Sequence, residues 1–107
     1  MRIWDINPKY LCREHLLGEH RELHAVWSIL TKNKKGYRNH PEVLRWRDKL
    51  PALYKRHEKE VKEMMARGYN HYSPLSKEKG SFIQKQFINS IKEQKEILKN
   101  KKCNCKI

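Results

Sequence analysis

His15-Leu16-Leu17-Gly18-Glu19-His20-Arg21-Glu22-Leu23-His24-Ala25-Val26-Trp27-Ser28-Ile29-Leu30 is the stretch that decides the fold class. Within it Leu16, His20, Leu23, Trp27 and Leu30 recur at spacings of four, three, four and three, the period of a helix with one face turned to a core. The period holds over residues 10–31. Upstream, Asn7-Pro8 predicts the helix start, because Pro is tolerated in a first turn. Downstream, the run Asn33-Lys34-Lys35-Gly36 predicts its end, with Gly36 as the stop.

A second stripe follows His40-Pro41: Val43, Trp46, Leu50, Leu53, His57, Val61 and Met64. Pro51 lies inside it and predicts a kink or short break near Leu50. Gly68 predicts the C-cap, and Tyr69 to Gly80 reads as a loop through Asn70, Ser73-Pro74 and Gly80. Ser81 with Gln84 three residues on matches a capping box. It predicts a third helix with Ile83, Phe87, Ile91 and Leu98 on its apolar face. Trp27, Trp46, Phe82 and Phe87 are expected in the core, and Ile3 and Trp4 are expected to anchor the first residues against it. The basic tail from Lys99 to Ile107 is expected to fray. No strand alternation, repeat or second domain is visible. The expected architecture is all-α, a compact single-domain bundle of about three helices over residues 1–107.

The 25 Lys and Arg against 12 Asp and Glu give a formal charge of +13, and the pI is near 9.9. Such a balance constrains partners rather than fold, and points first to nucleic acid, with binding that weakens steeply as salt rises. An anionic membrane surface is the competing partner. However, no apolar run approaches the roughly 20 residues of a membrane span, and Asp5 and Lys9 interrupt any signal-peptide stretch. The expectation is a cytoplasmic protein acting on intracellular DNA, nucleoid-associated or virus-encoded. Cys12, Cys103 and Cys105 are an odd set that makes no disulfide framework. Cys103-Asn104-Cys105 also lacks C-x-x-C spacing, so thiols without a role are expected in the tail.

At about 100° per residue, His15, Gly18 and Glu22 fall on one narrow helix face, with Ala25 at its edge. Gly in a helix interior costs about 1 kcal/mol relative to Ala. Close approach of a backbone or ligand is one reason to accept that cost. Arg21, on a neighbouring face, could reach a phosphate. The plain alternative is a solvated edge on which Glu22 pairs with a Lys or Arg. His20 and His24, spaced i,i+4 with Glu19 and Glu22 nearby, make a metal pair conceivable. The H-E-x-x-H order is absent and no third ligand is placed, so packed histidines and no metal are expected. Tyr69, His71 and Tyr72 read as a packed turn or as an aromatic loop against DNA.

Two blocks give the chain a family likeness: the terminal Met1-Arg2-Ile3, and His15-Leu16-Leu17-Gly18-Glu19-His20-Arg21-Glu22-Leu23 at a fixed distance from it. Met65-Ala66-Arg67-Gly68-Tyr69-Asn70 adds a weaker third. The sequence resembles the pyrimidine-dimer DNA glycosylases with abasic-site lyase activity, the phage-type endonuclease V family. The resemblance implies a helical bundle with the N-terminal segment packed between helices. It implies a Schiff base between the α-amine of the first residue and the damaged nucleotide, followed by β-elimination. By position, Met1 supplies the amine and Glu22 the acid/base carboxylate, while Arg2, His15, Arg21 and Lys32 fall on DNA-contacting positions. Damaged double-stranded DNA is the implied partner of a monomer with no cofactor. Ala25 and His20 replace an Arg and a Tyr of the phage-type pattern. A non-catalytic basic helical module that binds nucleic acid is the alternative reading.

Overall fold

A computed structural model describes residues 2–70, 74–76, 78–101 and 105–106. Among these, a one-turn 3-10 helix, Pro8–Tyr10, precedes four α-helices: α1 (Arg13–Thr31), α2 (Pro41–Leu44), α3 (Leu50–Ala66) and α4 (Ile91–Lys99). Asn7 does cap a helical turn, but it is the 3-10 turn, through a bond from the Lys9 amide; α1 starts afresh after Cys12. The helix ends earlier than Gly36. Asn33 takes the left-handed conformation (φ 49°), and the Lys34 amide donates back to the Ile29 carbonyl at 3.2 Å. Asn is the commonest substitute for Gly in such a stop.

The break expected near Leu50 is present. Asp48 is left-handed (φ 61°), and Pro51 stands in the first turn of α3, where its missing N–H costs nothing. At the far end Gly68 (φ 82°) closes α3, with Tyr69 N–H donating to the Met64 carbonyl at 2.8 Å. The third predicted helix begins later than expected. Residues 81–89 are non-helical, and the capping box is Ser90 with Glu93. As a result Phe82 is 65 % and Phe87 44 % exposed rather than buried.

Among the described residues two apolar clusters form the core. Ile3, Leu23, Val26, Trp27, Val43, Trp46 and Leu53 are among the residues of the first, while Trp4, Ile6, Leu11, Leu16, Met64 and Leu98 make the second. Ile3 faces one cluster, and Trp4 and Ile6 face the other. The N-terminal segment therefore runs between the helices, as expected. The tail does not simply fray: Lys106 N–H donates to the Tyr10 carbonyl at 2.7 Å, and Cys105 packs against the second cluster.

Candidate functional site

Residues 3–6 are held by side chains from three helices and the turn after α2. Trp4 N–H donates to Glu19 Oε1 on α1 at 2.7 Å. Asp5 N–H donates to Gln94 Oε1 on α4 at 2.7 Å. The Ile3 carbonyl accepts from Arg45 Nη2 at 2.8 Å, and the Ile6 carbonyl from Arg56 Nη1 on α3 at 2.7 Å. Each holding group is itself paired. Arg56 grips both oxygens of Glu19, at 2.8 and 2.9 Å, and Arg45 bonds Glu42 at 2.7 Å and Asp5 at 3.0 Å. Burial pushes the Glu19 carboxyl up, against the opposing pull of the Arg56 charge and the Trp4 amide. Sequence reading named neither Arg45 nor Arg56, and nothing in their spacing marks them, because their partners lie on distant segments.

Glu22 stands on α1, on the half-buried face shared with His15, Gly18 and Ala25. With Ala25, Ile29, Lys34, Gly36 and Tyr37 it lines an open groove. A second groove adjoins at Ile29 and Lys34, and Arg38, Arg47 and Lys79 make its wall strongly basic. Among the described residues nothing crowds Gly18: a methyl group there would meet only Arg21 Nη2, at 4.0 Å. Arg21 and Lys32 are exposed, Lys32 just past the end of α1 and outside both groove walls. Arg2 is half-buried with its guanidinium 4.6 Å from the centre of the Trp4 ring. Met1, His71 and Tyr72 lie outside the described residues; Tyr69 packs against the second core cluster.

His15 faces two thiols. Its Nδ1 is 3.1 Å from Cys12 Sγ and 3.2 Å from Cys105 Sγ, and the Cys12 amide donates to Cys105 Sγ at 3.1 Å. Burial, and then the Lys101 charge, hold the His15 imidazole below its ordinary pKa of 6.5, with Glu14 opposing. Cys105 thus has partners that reading the tail alone does not supply. Among the described residues two groups bring potential metal ligands together, Cys12 with His15 and Cys105, and His20 with His24 and His57.

The family model for pyrimidine dimer DNA glycosylases matches residues 1–77. The chain belongs to that family. No curated protein and no solved structure matches it. The matched span of this glycosylase-family chain contains the clamped segment, α1 with Glu22, and both groove walls apart from Lys79. Membership implies DNA glycosylase activity on pyrimidine dimers and DNA as the substrate. Among the described residues no helix is long and apolar enough to cross a membrane.

Proposed function

We propose that the protein is a bifunctional glycosylase and abasic-site lyase that attacks damaged pyrimidines in duplex DNA with the α-amine of Met1. The clamp on residues 3–6 supports this reading, because it holds a segment close to Met1 in sequence against α1, the helix of Glu22. An α-amine has a reference pKa of about 7.7–8.0, so a sizeable fraction is neutral and nucleophilic near physiological pH. The amine nitrogen bonds to C1′ as the glycosidic C–N bond breaks and the base leaves with a proton. Opening of the sugar ring then gives the imine, so that one hard step becomes two. Glu22 stabilises positive charge on the sugar during base loss. It then takes the C2′ proton, and the 3′ phosphate leaves in the β-elimination.

The sugar must be brought to a surface groove rather than an enclosed cavity, which requires bent DNA and a displaced base. Unstacking costs a few kcal/mol, least at a damaged pair. Phosphate contacts from Arg2, His15, Arg21 and Lys32 offset it, joined by Lys34, Arg38 and Arg47 of the grooves beside Glu22. The protein acts as a monomer inside the cell and needs no cofactor for this chemistry.

Borohydride, which reduces the imine to a stable amine, tests the proposal on duplex DNA carrying a thymine dimer or an abasic site. A covalent complex is expected with the wild type, none after the N-terminus is blocked, and at least a hundredfold slower formation on dimer DNA with Glu22→Gln. Tight binding without trapping on either DNA would instead mean a binding module.

A further inference from the structure

We propose that His20, His24 and His57 bind a divalent transition-metal ion, zinc by ligand chemistry, that fastens α1 to α3 behind the N-terminal clamp. Sequence reading dismissed a metal because α1 supplies only the i,i+4 pair; α3 supplies the third histidine. The three ring centroids are mutually 4.7, 4.9 and 5.0 Å apart, and one ligand nitrogen of each ring lies within 4.8 Å of the others. His20 and His57 are buried and His24 is half-buried.

The tautomers favour a cation. His20 Nδ1 is 2.9 Å from Glu60 Oε1, and His57 Nδ1 is 3.0 Å from Glu58 Oε1. Each Nδ1–H can donate to its carboxylate, which leaves Nε2 as the ring atom that would ligate an ion in place of its present contacts. Histidines that ligate metals are held in this way, one nitrogen on a carboxylate and the other on the ion. The Nε2 atoms of His20 and His24 share a hydrogen bond at 3.1 Å, which an ion would replace with a bond to each ring. Zinc at about 2.0–2.1 Å from each nitrogen sets tetrahedral ligands roughly 3.3 Å apart, so the His20–His24 pair already has the spacing and His57, within 4.8 Å, closes inward to complete the site. Three imidazoles and one further ligand suit zinc better than a hard cation such as magnesium or calcium, which prefers oxygen.

Glu60 joins this cluster to the clamp. Its other oxygen is 3.3 Å from Arg56 Nε, and Arg56 in turn holds Glu19, which accepts the Trp4 amide. The ion orients His20, His20 orients Glu60, and the line ends on the backbone of residue 4. By helical spacing His20 and His24 point away from the Glu22 face of α1, so the ion positions the segment and takes no part in glycosidic chemistry.

The test uses the full chain, stripped with chelator and titrated with zinc. About one zinc per chain is expected, with a rise in Tm and at least tenfold slower hydrogen exchange at the Trp4 amide. His24→Asn, at the half-buried position, should keep the helical circular dichroism and weaken zinc binding at least tenfold, whereas Cys12→Ser should bind zinc as the wild type does. Cobalt in place of zinc should give tetrahedral visible bands without a thiolate charge-transfer band. No stoichiometric zinc, zinc retained by His24→Asn, or zinc lost in Cys12→Ser with a thiolate band would each overturn the assignment. The last result would move the metal to Cys12, His15 and Cys105.

Discussion

Glu19 and Glu22 sit three residues apart on one helix, and the sequence does not say which is buried. The structure separates them: Glu19 is 2 % exposed and paired with Arg56, while Glu22 opens on a groove. Periodicity places a side chain on a face, but what faces it depends on a helix some 40 positions away. Loss of the Arg56 partner would strand a buried carboxylate, which is why such pairs show position rather than net stability. His15 gives a sharper test. Because burial and Lys101 favour its neutral form, its folded pKa lies below the unfolded value. The associated stability is then complete above pH 6.5 and is lost as pH falls through the lower folded value. Titration followed by NMR should show a midpoint below 6.5, raised toward it by Lys101→Ala. An unchanged midpoint in that variant would remove Lys101 from the account.

Among the elements, α1, the break before α3 and the Gly68 stop are legible because each rests on local rules: period, proline, left-handed glycine. The start of α4 is not. Ser81-x-x-Gln84 and Ser90-x-x-Glu93 both fit the capping pattern, and long-range bonds decide between them. Ser81 N–H donates to the Asp48 carbonyl at 2.9 Å, and the Ser81 carbonyl accepts from Ala52 N–H at 3.2 Å. The Gln84 side chain donates to the Arg45 carbonyl. Residues 81–84 are thereby spent on the α2–α3 junction and cannot wind. Gly80 (φ 147°) has no room for a Cβ, which would lie 2.8 Å from the Asp48 carbonyl oxygen. Ser90→Ala should therefore cost about 1 kcal/mol in denaturant unfolding, whereas Ser81→Ala should leave the amide protection of α4 unchanged. Equal loss of that protection in both would favour the earlier start.

For the whole molecule, charge identifies a class of partner but not the face that meets it. The excess of Lys and Arg is spread along the chain; folding gathers Lys34, Arg38, Arg47 and Lys79 around grooves that begin at Glu22. Arg21, exposed one residue before Glu22, should contribute about one counterion. Arg21→Ala is expected to weaken duplex binding and lower the slope of log affinity against log salt by about 0.9. A slope identical to the wild type would take Arg21 out of the phosphate set. The catalytic roles proposed for Met1 and Glu22 come only from family likeness, since helical spacing alone cannot tell a carboxylate in a groove from one in solvent.

Gln94 lies beyond the stretch this chain shares with its family, yet its side-chain oxygen holds the Asp5 amide and its nitrogen the Asp5 carboxylate, at 2.7 and 3.0 Å. The matched and unmatched stretches are therefore not separate pieces of the molecule. A side chain outside the matched span thus holds the backbone of the segment inside it. A graft of residues 1–77 onto another C-terminal half would carry the recognisable residues without the Gln94 grip on Asp5.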